Sequence, residues 1–198
     1  MARTIAKDHD LKRGQILKSA AKVFAHEGFD RASMNMLARE CGISKANIYH
    51  YYDSKDAILF DVLDTYLAEL RDRVLSVELD GLPPVEQLHR LTQEILLAYQ
   101  GMDDEHKVQT AGIAALPPDQ QRILRGYQRE MVDQMSGILT ALAPQAVTED
   151  RAKLRAAVMS VFGMLNWFYM WNSGADEQAR EDYARLVADL TVNGINGI

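Results

Sequence analysis

Apolar residues recur along most of this chain at the three-to-four-residue spacing of an amphipathic helix, and no stretch alternates convincingly with a period of two. The first helical stretch begins at about Leu11 and ends before Gly28, which is typical of a helix stop. A later stretch is ended by Gly81 and the Pro83-Pro84 pair. The pattern therefore predicts an all-α protein.

Glycine, proline and serine residues between the apolar stretches divide the chain into about nine predicted helices. Serines at positions 33, 44 and 54 each precede a helical pattern and would cap it. The predicted helices span about residues 11–26, 33–42, 45–51, 54–77, 84–101, 103–115, 118–142, 149–172 and 176–194.

The first three helices follow the plan of a helix-turn-helix, in which the third would be the recognition helix. Ala38 is small where two helices cross, Gly42 supplies the positive φ of the turn, and Ile48 anchors the third helix in the core. This spacing is common by chance, but the capping serines and Tyr49 beside it make it specific. We predict a helix-turn-helix DNA-binding domain over residues 1–55 and a helical domain over 56–198.

Charge is divided unevenly between these two parts. The formal net charge of the whole chain is −6. Residues 1–55 nevertheless contain ten Lys and Arg against six Asp and Glu, whereas the remaining residues contain twelve against twenty-two. A basic amino-terminal part on an acidic body indicates that only the former meets a polyanion such as DNA.

Residue types that carry catalysis or bind metals elsewhere are dispersed in this chain. The five histidines are scattered, no Gly-rich phosphate loop occurs, and the single Cys41 falls where a helix-turn-helix needs a small buried residue. One cysteine fits a reduced cytoplasm. No window approaches eighteen uninterrupted apolar residues, and the amino terminus has no apolar signal region. We predict a cytoplasmic protein that is neither secreted nor membrane-spanning, has no cofactor and is not an enzyme.

Residues 16–60 resemble the N-terminal DNA-binding domain of the TetR family of transcriptional regulators. The resemblance rests on Phe24 and Gly28, the Leu37-Ala38 pair, the "GIS" sequence from Gly42, the Ile48-Tyr49 pair and Lys55. It implies a DNA-binding surface formed by Ser33, Ser44, Lys45, Ala46, Asn47, Tyr49, His50, Tyr51 and Lys55.

The resemblance also implies a role for each contact. Ser33, at the amino end of the second helix, would bond a phosphate. Lys45, Ala46 and Asn47 would be nearest the base edges, where Lys45 could donate to guanine and Asn47 could pair with adenine. Tyr49 would lie along the wall of the groove.

The resemblance implies further contacts at the end of the recognition helix. Tyr51 and Lys55 would contact the DNA backbone, while His50 would either contact a phosphate or point to solvent. Tyr52, where the family more often has Phe, is predicted to be a core residue with its hydroxyl at the edge. We predict a basic arm that contacts the flanking DNA backbone through Arg3, Lys7, Lys12 and Arg13. The alternative is that residues 1–8 form a solvated tail.

The resemblance implies that the second domain buries a small ligand and dimerises through its last two long helices. Symmetry supports a homodimer independently, because one recognition helix reads too few bases. Residues 158–172 are apolar on every side, so one face could meet the partner at Ser160 and Gly163 while the other lines a pocket. Ordinary core or interface is the alternative for the predicted pocket residues: Tyr99, Met102, Met131, Met135, Met164, Trp167, Phe168 and Trp171.

The segment "FGMLNWFYMW" also resembles a subgroup of the family that senses acyl-CoA thioesters. Arg122, Arg125 and Arg129 recur at i, i+3 and i+7, so they share a helix face and could meet coenzyme phosphates. The alternative is a solvated face in which Arg129 pairs with Asp133.

The sequence thus predicts a DNA-binding transcriptional regulator, most simply a repressor that binds a palindromic operator as a homodimer. A small, largely apolar effector, such as an acyl-CoA, would release it. There are three alternatives. The protein could activate transcription, it could be a partner-binding helical protein, or its amino-terminal part could be a helical subdomain that binds no DNA. The last would not expose Lys45, Asn47, Tyr49 and Tyr51 around a single apolar anchor.

Overall fold

The computed structural model describes residues 2–143 and 145–197, except for the side chains of residues 2–8 and 146. Within these ranges the chain is entirely helical apart from its turns, which confirms the all-α prediction. No helix in the described ranges is long and apolar enough to cross a membrane. The ten helices are α1 (Ala2–Glu27), α2 (Met34–Glu40), α3 (Lys45–Tyr51), α4 (Lys55–Leu75), α5 (Pro84–Ala98), α6 (Asp103–Ala115), α7 (Pro118–Leu142), α8 (Gln145–Thr148), α9 (Arg151–Trp171) and α10 (Glu177–Ile195).

Two of these helices differ from the predicted boundaries. α1 begins at Ala2 rather than at about Leu11, because the residues before Leu11 include too few apolar positions to mark a helical period. The single-turn α8 was missed because four residues are too few to show any period. The other eight helices lie within about three residues of their predicted ends.

The chain divides into two compact units. The first combines the residues up to Leu67 with Asp104–Leu124, and the second combines Ala68–Asp103 with the residues from Arg125 onward. By packing, most of α6 and the first part of α4 therefore belong with the first three helices. The predicted division at residue 55 was drawn from the motif alone and stays a prediction about function.

The first unit has a continuous apolar core to which every one of its helices contributes. A glycine in α6, Gly112, lets this helix approach α4 closely, since a Cβ there would lie 3.2 Å from Leu59 Cδ1 and 3.3 Å from Leu63 Cδ1. The Tyr66 hydroxyl and His106 Nδ1 join the same two helices at 2.8 Å. The side chains with no exposed surface include Ile16, Leu37, Ile48, Ile58, Leu59 and Leu63.

The second unit is built around the packing of α10 on α5 and α9. The Thr92 hydroxyl donates to the Ala184 carbonyl at 3.3 Å, and the rings of Phe168 and Tyr183 stack with centroids 4.7 Å apart. Arg180 of α10 is buried, and its guanidinium donates to the carbonyls of Leu96 and Ala175. These bonds satisfy a buried charge that would otherwise be costly.

Candidate nucleic-acid interface

One apolar side chain anchors the recognition helix α3 in the core. Ile48 is fully buried, while every other residue from Lys45 to His50 is exposed. The ammonium of Lys45 lies 5.8 Å from the centre of the Tyr49 ring, and 43% of Tyr49 is exposed. The predicted base-reading side chains, Lys45, Ala46 and Asn47, therefore share one accessible surface with Tyr49 and His50.

Local backbone geometry positions this helix. The Ser44 hydroxyl oxygen accepts from Asn47 N at 3.1 Å, and Ser33 caps α2 in the same way from Met36 N at 3.3 Å. Gly42 has φ 64°, and the Ile43 amide donates to the Ala38 carbonyl at 3.0 Å to close the turn. Both serines are exposed, and because their oxygens serve as acceptors in the caps, their O–H groups are available to donate to a phosphate.

A hydrogen-bonded group holds the residue that follows α3. Tyr52 was predicted to be a core residue but is half-buried, and it donates its hydroxyl to the Asp61 carboxylate. Arg13 Nε donates to the same carboxylate at 2.8 Å, and Arg13 Nη2 makes a second bond to it. Burial and the bond to Asp61 together raise the pKa of the Tyr52 phenol well above its usual value. This group ties α1 to α4 and to the end of the recognition helix.

The hydrogen-bonded group of Arg13, Asp61 and Tyr52 also affects the predicted basic arm. Because the Arg13 guanidinium is bound to Asp61, its charge is largely neutralised within the protein, which argues against a simple phosphate-contact role. Lys12 Nζ lies near the surface, 3.2 Å from Gln15 Oε1. The side chains of Arg3 and Lys7 lie outside the described residues, so their part of the arm stays a prediction.

Lys55 is bonded within the protein. Its Nζ donates to the carbonyls of Phe29, Asp30 and Ala32 at 2.8, 3.2 and 3.2 Å, and it lies 4.4 Å from the centre of the Phe29 ring. An ammonium has three donors. All three are directed to the loop between α1 and α2, so Lys55 supports this loop, and its contact with the DNA backbone stays a prediction.

Tyr51 is held by a residue that sequence reasoning missed. Its ring stacks on His9 of α1 with centroids 4.9 Å apart, and the His50 ring meets it edge-on at 5.6 Å. His9 and Arg13 stand one turn apart on α1, whereas the two tyrosines that they help to hold, Tyr51 and Tyr52, are adjacent at the end of α3. That spacing would have been a signal only if the helix had been predicted to start before Leu11.

The predicted pocket residues are divided between buried and exposed positions. Arg122 belongs to the first unit and the other ten to the second. The Tyr99 hydroxyl donates to Asn166 Oδ1 at 2.6 Å, and burial raises the pKa of this phenol above its usual value. Met102 and Met164 are half-buried. The buried members are Tyr99, Met131, Met135 and Phe168.

Trp167 and Trp171 are each 59% exposed, which corrects the expectation that residues 158–172 form a helix buried all round. Helix α9 is therefore not buried on every side within one chain. Both tryptophans lie with Ser160 and Gly163 among the exposed positions of α9, although the Trp171 ring still meets Phe168 at 5.0 Å. They lie at the surface of the helix, and their contact with an effector stays a prediction.

The three arginines of α7 are exposed, as a solvated or ligand-binding face would require. No ion pair joins Arg129 to Asp133 in the part of the chain that the structure describes. The pairing predicted as the alternative for Arg129 is thus absent, but its exposure alone does not make Arg129 a ligand contact. Among the described residues no group of three or more His, Cys, Asp or Glu could hold a metal ion.

An exposed recognition helix with one apolar anchor, a glycine turn and two serine-capped helices defines a helix-turn-helix protein. Residues 16–62 match the family model for bacterial regulatory proteins of the tetR family, and residues 81–195 match the tetracyclin repressor-like C-terminal domain. The chain belongs to the TetR family of transcriptional regulators. This family is not enzymatic.

Known relatives share this organisation. NicS of Pseudomonas putida, an HTH-type transcriptional repressor, is 24% identical over 96% of this chain and 95% of its own length. YerO of Bacillus subtilis, an uncharacterized regulator, is 33% identical over 40% of this chain, and the match covers only 28% of YerO. The whole chain is thus aligned with NicS, whereas the likeness to YerO is local.

Solved structures share the fold. A TetR-family regulator from Bordetella parapertussis has 30% identity and a TM-score of 0.84 over 91% of this chain and 94% of its own. AibR, solved in complex with isovaleryl coenzyme A and operator DNA, has 23% identity and a TM-score of 0.75 over 91% of this chain and 98% of its own. The second likeness establishes the fold alone.

The position of Lys55 gives a first prediction. Lys55→Met keeps the aliphatic stem but removes the donor from three carbonyls, so it should lower the free energy of unfolding by about 1–3 kcal/mol. Urea denaturation at fixed protein concentration measures this. Lys45→Met is the control, since Lys45 is exposed, and its effect should stay within about 0.5 kcal/mol. Equal stability of the two variants would contradict the supporting role of Lys55.

Proposed function

We propose that this protein is a cytoplasmic repressor that binds a palindromic DNA operator as a homodimer and leaves it when a small, largely apolar effector binds. The observation that carries the proposal is the recognition helix, whose exposed side chains surround the single buried Ile48. The full-length alignment with the repressor NicS favours repression over activation.

The exposed residues of α3 suit the major groove of DNA. Lys45 can donate to the guanine acceptors O6 and N7, and the Asn47 amide can pair with adenine N6 and N7. Ala46 is small enough to let the helix approach the bases. Tyr49 offers a ring and a hydroxyl to the groove wall, while the Ser33 and Ser44 hydroxyls can donate to phosphates.

An exposed apolar surface on α9 and α10 supports the homodimer. Six large apolar side chains are exposed on these two helices, and exposed apolar patches mark interaction sites. The small residues Ser160 and Gly163 lie among the exposed positions of α9 and would allow two helices to approach closely. We call this set the α9–α10 apolar face: Met159, Trp167, Met170, Trp171, Leu186 and Leu190.

The buried aromatic and methionine side chains of the second unit support an apolar effector. Tyr99, Met131, Met135 and Phe168 are adaptable, largely apolar groups that could open around a small acyl chain. The exposed Arg125 and Arg129 of the same unit would then bind coenzyme phosphates. AibR, which shares the fold, was solved with isovaleryl coenzyme A, and this makes short acyl-CoA thioesters the first class to test.

Operator binding is the second prediction. A duplex enriched from a random-sequence library should contain two half-sites about 34 Å apart, and its affinity should fall steeply as salt rises. Lys45→Ala with Tyr49→Ala should weaken binding at least tenfold in a mobility-shift titration, because base and groove contacts are lost, with no loss of stability. Arg90→Ala on α5 is the matched surface control and should bind normally. Unchanged binding by the double variant would refute the assignment of α3.

Dimerisation is the third prediction. The wild-type protein should sediment as a dimer, and Trp167→Glu with Leu186→Glu should sediment as a monomer, because charges would be buried at the α9–α10 apolar face. Operator affinity should fall by about 100-fold or more, since one half-site is read alone. Val85→Glu, at another exposed apolar residue of the same unit, should remain a dimer. A dimeric double variant would place the interface elsewhere.

The effector class is the fourth prediction. In a thermal-shift comparison of isovaleryl coenzyme A, free isovalerate and coenzyme A, the thioester should raise Tm most, because only it occupies both the apolar and the phosphate-binding groups. It should also release the operator in a mobility-shift assay. Arg125→Ala with Arg129→Ala should abolish the difference between the thioester and the free acid, whereas Arg155→Ala on α9 should not. Equal Tm shifts for the thioester and the free acid in the wild type would contradict the phosphate-binding role of the arginines and indicate that they form a solvated face.

A further inference from the structure

Two histidines from different helices flank a single tyrosine at the end of the recognition helix. The His9 ring of α1 lies against the Tyr51 ring, 4.9 Å between centroids and inclined by 29°. The His50 ring of α3 meets the same ring at 5.6 Å and 88°. Tyr51 is half-buried between them, while both histidines are exposed.

The contact between His9 and Tyr51 is the first of two contacts made by successive turns of α1. One turn further on, Arg13 binds Asp61, and Asp61 accepts the hydroxyl of Tyr52. Adjacent tyrosines are thus held by residues four positions apart on one helix. This pairing fixes the place of His9 beside α3, so the amino-terminal part of α1 belongs to the surface that faces DNA in the proposed function.

The charged groups near the two imidazoles are compatible with a positive charge on each ring. Asp10 is the carboxylate near His9, with 3.9 Å between Oδ1 and Nδ1, and 81% of the Asp10 side chain is exposed. From α3, His9 faces the Tyr51 ring. His50 has no carboxylate within ion-pair distance among the described side chains and faces Tyr51 as well. A phosphate near both rings would favour their protonated forms, because an opposite charge stabilises a cation.

We propose that His9 and His50, placed around Tyr51, form a binding site for backbone phosphates of the operator, and that proton uptake by the two imidazoles strengthens DNA binding. A protonated imidazole has two N–H donors and a positive charge, both of which suit a phosphate oxygen. Histidine is the side chain whose ordinary titration falls between pH 5 and 8. The inference rests on the proposed function and adds His9, a residue outside the helix-turn-helix motif, together with a dependence on pH.

The sign of the effect follows from linkage. If the imidazoles bind protons more tightly beside phosphates than in the free protein, operator affinity must rise as pH falls. Each protonated histidine that meets a phosphate also displaces counterions. It should therefore steepen the dependence of log affinity on log salt by about 0.9.

The experiment measures this salt dependence with the library-enriched operator duplex at about pH 6 and about pH 8, where histidine is mostly charged and mostly neutral in the usual case. Because a bound homodimer carries two copies of each histidine, the slope for the wild-type protein should be steeper at the lower pH by up to about 3.6. His9→Gln and His50→Gln should each lose about half of this difference, and the double variant should lose all of it. Calorimetry in two buffers of different ionisation enthalpy should show proton uptake on binding by the wild type and none by the double variant.

His26→Gln is the matched control, because His26 is an exposed histidine of the same unit that pairs with Asp104 at 3.6 Å. It should keep the full difference in slope. Equal slopes at the two pH values, or a His9→Gln variant that behaves like the wild type, would overturn the site while leaving operator binding established. Absence of any salt-sensitive duplex binding at about pH 8 would instead overturn the proposed function, and the site with it.

Discussion

The structure depends on the anchoring of a recognition helix that is too short to be stable alone. Seven residues form fewer than two turns, whereas isolated helices below about 12–15 residues are marginal in water. The helix must also leave most of its side chains exposed if it is to read bases. Its stability therefore has to come from the few groups that do not face outward: the cap at Ser44, the turn at Gly42 and the buried Ile48.

This constraint explains why several charged residues near α3 are turned toward the protein. Arg13 is bound to Asp61, and Lys55 is bound to three carbonyls, so neither guanidinium nor ammonium is freely available to a phosphate. The count of basic residues in the first 55 positions thus overstates the charge that DNA would meet. A support for a short exposed helix needs strong, directional bonds, and charge-assisted hydrogen bonds supply them.

The local elements of the fold could be predicted because their signals lie within a few residues of one another. Ser44, Gly42 and Ile48 act through neighbouring backbone atoms or through a spacing set by the helix itself, and the structure places them as predicted. Lys55 and Trp167 were different, since a lysine or a tryptophan is equally compatible with a contact surface, a support or an interface. The role of Lys55 depends on partners far along the chain. The role of Trp167 depends on which side of its helix the rest of the chain covers. His9 was missed because a polar helix start gives no periodic signal.

The exposure of the α9–α10 apolar face bears on how an effector could act in the proposed mechanism. Two recognition helices must reach successive grooves about 34 Å apart, and their separation is set by the dimer interface rather than by α3. An effector therefore need not touch Lys45 or Tyr49 to release the operator. It needs only to bind more tightly to dimers in which that separation no longer fits. Since α9 carries exposed Trp167 on one side and buried Phe168 on another, a ligand that repacks the buried side would act on the same helix that forms the interface.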